Sequence, residues 1–267
     1  MFLSTRYALG TAQGPQLVAA FVVALLLCFA GAAPAKEATS DDQVSDEFRN
    51  TISTHHEIWD DLTGFGQFEY RDNSDSDYQA FNMVWPGFIY APKRDWLQFT
   101  AGLGSLYTWN EHKADTLQLR PFGGVKFLVP NHWQWHIYNY TRYEFLDTQN
   151  QASYEWTSYN RIRSRFGLEI PLAARDRAWK PKSWYALADV EPIYRFDHDQ
   201  IDPLYVRAGV GYILSRRASL ELIYYDEFTR PTTGSSLHQY DNIIELNLKI
   251  DLGRNILERL HNPSAGD

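Results

Sequence analysis

The sequence predicts an all-β chain, an antiparallel up-and-down transmembrane β-barrel of about ten strands, with twelve the next count. Three observations carry this. Polar and apolar residues alternate along most of the chain after residue 61, the period of a strand with two different faces. Aromatic content is 15%, with nine Trp and seventeen Tyr, while mean hydropathy is negative, a combination expected where rings collect at a membrane boundary. No apolar run after the first 35 residues is long enough for a spanning helix, so a spanning structure here has to be a closed barrel.

The first segment, 1–35, reads as a cleaved signal peptide. Arg6 supplies the positive n-region, an apolar run covers 17–30, and Ala33-Pro34-Ala35 is a small-x-small cleavage site. The run is short of the ~20 residues a spanning helix needs. Cys28, the single cysteine, lies inside it behind Leu27, where a lipoprotein signal would place a small residue. A chain cut after Ala35 has no disulfide, thiolate metal site or cysteine nucleophile. Removing Arg6 also takes the formal charge from -8 to -9, which disfavours a sequence-independent grip on nucleic acid.

Residues 36–61 are polar and acidic, and Ser40-Asp41-Asp42 can cap a short helix, so a periplasmic lead-in, helical or disordered, is expected there. The barrel is expected over 62–253. Its strands are placed at 62–71, 78–90, 96–110, 116–129, 133–147, 156–170, 183–196, 204–214, 218–229 and 240–253. Tight connections at 92–95, 130–132 and 215–217 alternate with longer ones at 71–77, 148–155 and 230–239. That is the habit of a barrel with short periplasmic turns and longer outer loops. The long 171–182 stretch breaks the alternation and is read as an insertion.

The strand at 156–170 organises the rest. Arg161, Arg163 and Arg165 fall on one face, and Ile162, Phe166, Leu168 and Ile170 on the other. In its neighbours, Arg142 and Glu144 oppose Tyr143 and Phe145, and Asp189, Glu191 and Arg195 oppose Trp184, Val190 and Tyr194. The last strand sets Ile244, Leu246, Leu248 and Ile250 against Glu245, Asn247 and Lys249. An apolar exterior and a charged interior follow, with Arg165 facing Asp189, Arg163 facing Glu191 and Glu144 facing Arg161. A one-residue slip would turn the arginines outward. Rings near the strand ends, such as Tyr107, Trp109, Trp133, Trp135, Trp156 and Trp184, suit two interfacial girdles.

The run Arg161-x-Arg163-x-Arg165 to Glu169-Ile170-Pro171 resembles a strand of an uncharacterised bacterial outer-membrane barrel family, known only as a domain of unknown function. Arg207-Ala-Gly-Val-Gly211-Tyr212 with Leu220-Glu-Leu-Ile-Tyr224, and the final strand from Asn242, resemble further signatures of that family. The resemblance runs from Gly64 to Gly253 and implies a fold and an outer-membrane location, with no activity or catalytic residues. Residues 254–267 then form a periplasmic tail in which Ile256, Leu257 and Leu260 fall at helical spacing.

The candidate site is the interior charge cluster of Arg142, Glu144, Arg161, Arg163, Arg165, Asp189, Glu191, Arg195 and Arg207. Charges inside a narrow barrel have to pair, so a structural or narrow solute-conducting barrel is the expected function. An outer-membrane hydrolase working on lipid or peptide at the rim is the alternative. Its candidates are weak: Ser235, Ser236 and His238 lack an oxyanion motif, and His198 sits in an acidic loop best read as solvated. His55-His56 is read as incidental. No catalytic residue, metal or cofactor is assigned. The expected partners are outer-membrane lipids and lipopolysaccharide, with the barrel assembly machinery and periplasmic chaperones during biogenesis, in a Gram-negative cell outer membrane.

Overall fold

The computed structural model describes residues 44–73, 78–92, 96–230 and 237–254. The expected signal peptide (1–35), Cys28, the tail 255–267, and Ser235 and Ser236 lie outside the described residues.

Eleven strands close into one barrel: β1 (Ser45–Trp59), β2 (Leu62–Asn73), β3 (Tyr78–Tyr90), β4 (Leu97–Asn110), β5 (Thr116–Val129), β6 (His136–Asn150), β7 (Trp156–Pro171), β8 (Trp184–Arg195), β9 (Gln200–Ser215), β10 (Ala218–Thr229) and β11 (His238–Arg254). Each pairs antiparallel with its sequence neighbour, and β1 closes the wall against β11 in parallel, from Ser45 beside Asp241 to His55 beside Asp251. An odd count forces one parallel pair. The expected up-and-down barrel of about ten strands is present, with eleven strands and one parallel pair at the closure.

The extra strand comes from the segment expected to be a lead-in. Ser45, Glu47, Arg49 and Thr51 point inward and are buried, while Phe48 and Ile52 point outward and are exposed. The period of two is therefore present, but the inward residues are charged and the outward face is broken by Asp46 and Asn50.

Among the described residues, connections 60–61, 130–135, 172–183 and 216–217 lie at one mouth, and 111–115, 151–155 and 196–199 at the opposite one. The first group spans two to twelve residues and the second four to five, so the expected alternation of short and long is not kept there. The strand expected from Trp133 starts at His136, because Asn131 folds 130–135 into a turn, its Nδ2 donating to the Trp135 carbonyl at 2.7 Å.

The two faces divide as expected along the later strands. In β10, Leu222 is 53% exposed, while Glu221 and Tyr225 are 2% and Ile223 8% exposed. In β11, Ile244 and Leu246 are exposed and Ile243, Glu245 and Asn247 buried. Inside, Tyr185, Leu187, Ile223, Tyr225 and Ile243 pack into an apolar wedge along β8–β11, with Trp179, Tyr205 and Ile213 against it. Two glycines let rings lie flat against this inner wall. Tyr138 crosses its strand partner Gly167, and Tyr185 crosses Gly211, where an added Cβ would meet the ring at 2.2 Å and 2.1 Å.

Candidate functional site: the charged interior

The barrel wall alternates inward and outward, so every second residue of each strand is delivered to the same enclosed space. The β6–β7–β8–β9 quarter delivers Arg142 and Glu144, then Arg161, Arg163 and Arg165, then Asp189 and Glu191, then Arg207.

Glu144, 2% exposed, is the first hub. Arg161, its direct partner across β6 and β7, donates from Nε at 2.5 Å. Arg142 Nε also lies 2.5 Å from Glu144 but makes no hydrogen bond, and Arg163 Nη1 approaches to 3.8 Å. Glu191, equally buried, is the second hub. It accepts from Arg163 Nε at 2.7 Å, from Arg165 Nη2 at 2.9 Å, and from Arg207. Asp189 accepts from Arg207 Nε at 2.6 Å, while Arg165 Nε stays 4.0 Å away.

The β7–β8 register differs from the expected one by two residues. Asp189 stands opposite Gly167 rather than Arg165, and Arg163 stands opposite Ile193 rather than Glu191. A shift of two preserves every side chain's face, so the arginines still point inward and reach their carboxylates diagonally. The Glu144–Arg161 pairing stands as expected.

Arg195 does not join the cluster. It lies at the strand end, over the Tyr159 ring at 4.4 Å, and donates to Asp197 from Nη2 at 2.7 Å. That hydrogen bond holds the Asp197 carboxyl below the usual carboxylate range.

Several interior residues were not singled out from the sequence. Arg71 Nε donates to Glu69 at 2.5 Å, Arg49 donates to Glu47, and Arg120 reaches across β4 to donate to Asn82 on β3. Glu221 takes Lys249 Nζ at 2.5 Å, Tyr185 Oη at 2.6 Å and Asn247 Nδ2 at 3.0 Å. The legible signal was the inward period of 45–51; Arg120 gave none, since it stands alone between Leu119 and Pro121.

Between these groups lies a cavity of about 270 Å³, lined by residues from both sets, including Arg71, Arg120, Phe122, Arg142, Arg163, Arg165, Asp189 and Lys249. Its walls are fork-shaped donors and carboxylates, a surface suited to binding charged solutes. One end is crossed by the 172–183 connection. Trp179 stacks on His136 at 3.9 Å and donates from Nε1 to the Gln134 carbonyl at 2.7 Å.

The other candidates do not assemble into chemistry. The 196–202 carboxylates are occupied: Asp197 by Arg195, Asp199 by Tyr194, and Asp202 Oδ1 by the Arg230 backbone N–H at 3.1 Å. His198 Nε2 is 3.5 Å from Asp197. Among the described residues, no group of three or more His, Cys, Asp or Glu is placed to hold a metal ion. His55 stacks on Phe65, and His56 Nδ1 lies 2.9 Å from the Gly253 carbonyl.

Residues 43–238 match the family model described as "Protein of unknown function (DUF2490)". No curated protein matches the chain.

Proposed function

The chain belongs to the DUF2490 family of proteins of unknown function, and from that premise we propose that it is an integral outer-membrane barrel, exported through a cleaved signal peptide, whose interior is braced by paired charges. One observation carries this reading: the paired charges lie inside the barrel, while large apolar residues cover its outer wall. Phe48, Ile52, Phe68, Phe81, Phe88, Leu103, Phe166, Leu222, Ile244 and Leu246 are all exposed on the outer wall. A soluble protein rarely exposes more than a few hundred Å² of contiguous apolar surface, so a wall of this kind calls for lipid around it. Polar outer residues also satisfy one another: Asn139 Nδ2 lies 3.0 Å from Ser164 Oγ, which lies 2.7 Å from Thr141 Oγ1. Lipid and lipopolysaccharide are then the surrounding partners, and the barrel assembly machinery and periplasmic chaperones act in biogenesis.

The interior reading follows from magnitudes. Buried guanidiniums and carboxylates are costly unless each is paired. Three carboxylates tie β6, β7, β8 and β9 together across the quarter described above. We assign the network the role of a brace that narrows the bore, leaving at most a path for small ions. Fractionation of cells expressing the protein tests the location, with gel mobility before and after boiling as the test of the barrel. Recovery in the outer membrane with mobility that changes on boiling is expected; recovery in the soluble fraction would overturn the proposal.

A further inference from the structure

The interior cations outnumber the carboxylates they meet. Around β6–β9, five arginines (142, 161, 163, 165 and 207) share three carboxylates. Arg120, on β5, is 8% exposed, and no carboxylate among the described residues lies within 4.0 Å of it. Its one hydrogen-bond partner is Asn82, and its Nε–H has none. Arg142 has one carboxylate within reach, Glu144 at 2.5 Å, and shares it with Arg161. Leaving a donor unmet inside a protein is costly, and a guanidinium more so than a neutral group.

The two arginines face one space. Both line the 270 Å³ cavity, and Phe122, inward on β5 like Arg120, lies under the Arg142 guanidinium at 5.3 Å. Planar forks converging on an enclosed polar cavity match the oxygens of a tetrahedral or planar oxyanion.

We propose that the barrel interior binds a small free oxyanion of the phosphate type between Arg120 and Arg142. The proposal deepens the interior reading above but requires only the closed barrel, whatever membrane surrounds it. The same oxygens could come from a lipid headgroup; the eleven-strand wall and the small cavity favour the free ion.

Isothermal titration of the folded protein in non-ionic detergent tests this, with inorganic phosphate exchanged for chloride at constant ionic strength. Changed gel mobility on boiling serves as the fold control, so loss of anion binding is read separately from loss of the barrel. Saturable one-to-one binding is expected, weakened at least tenfold by Arg120→Met and by Arg142→Met, and unchanged by Arg195→Met at the rim. If Arg120→Met does not fold, Arg120→Lys, which keeps the charge and loses the fork, is expected to weaken binding as well. Absence of saturable binding, or affinity unchanged by the Arg120 and Arg142 substitutions, would overturn the site. Competition by phosphatidylglycerol in the micelle would overturn the assignment to a free ion.

Discussion

Arg163 and Glu191 are not opposite each other on their strands, yet they are joined: Arg163 stands across from Ile193, and its Nε donates to Glu191 Oε1 at 2.7 Å. The diagonal bond lets Glu191 also take Arg165 and Arg207. One carboxylate thereby ties β7, β8 and β9 together.

Replacing that carboxylate leaves the interior guanidiniums of Arg163 and Arg165 short of an acceptor and Arg207 with Asp189 alone. Glu191→Ala is expected to cost about 3–5 kcal/mol of stability in denaturant titrations of the folded protein in detergent. Adding Arg163→Met should restore part of the loss by removing one of the orphaned charges. Asp189→Ala is expected to cost less, because Arg207 keeps Glu191.

Glu144 and Arg161 are direct cross-strand partners, and their bond is 2.5 Å. A double-mutant cycle with Glu144→Gln and Arg161→Met should show a coupling energy of about 0.5–3 kcal/mol. Glu144→Gln alone should cost more than Arg161→Met alone, since Arg142 also leans on Glu144. Additive effects would contradict the pairing.

Gly211 carries the Tyr185 ring, whose hydroxyl donates to Glu221. Gly211→Ala pushes a buried ring off its seat and is expected to cost about 1–3 kcal/mol, the usual range for overpacking. The same change at Gly123, where an added Cβ would meet only the Thr100 carbonyl at 3.9 Å, should be far milder. Thermal unfolding of the two variants side by side decides this.

These pairings also mark what the sequence could and could not reveal. Which residues face inward was legible on β6, β7, β8 and β11, because charged and polar residues alternate there with aliphatic and aromatic ones. The β7–β8 register was not, because a slip of two residues leaves each side chain on its own face, and the pattern then looks the same. β1 was missed for a related reason. Its inward side, Ser45, Glu47, Arg49 and Thr51, is as polar as a solvated segment, and only Phe48 and Ile52 mark the outer face. Arg120 could not be placed at all, since its partner is an asparagine two strands away.

Depth along a strand should govern the cost of a charge on the outer wall. Leu246 is mid-strand on β11 and exposed, whereas Tyr240 lies near the strand end. Leu246→Arg is expected to cost about 2–4 kcal/mol in lipid bilayers, and Tyr240→Arg about 0–1 kcal/mol. Urea unfolding from vesicles measures both, and equal costs would count against a lipid-spanning β11.

The most direct test of the outer wall uses an introduced cysteine, since a chain cut after Ala35 has none of its own. One cysteine is placed at Leu222, outward on β10, and in a second variant at Arg216, exposed in the 216–217 connection. Each carries a nitroxide spin label in protein reconstituted into lipid vesicles, and collision with oxygen is compared with collision with a water-soluble nickel complex. The label at Leu222 is expected to meet oxygen readily and nickel rarely, with the reverse at Arg216. Ready collision with nickel at Leu222 would mean that water covers the apolar wall, and would contradict the membrane barrel.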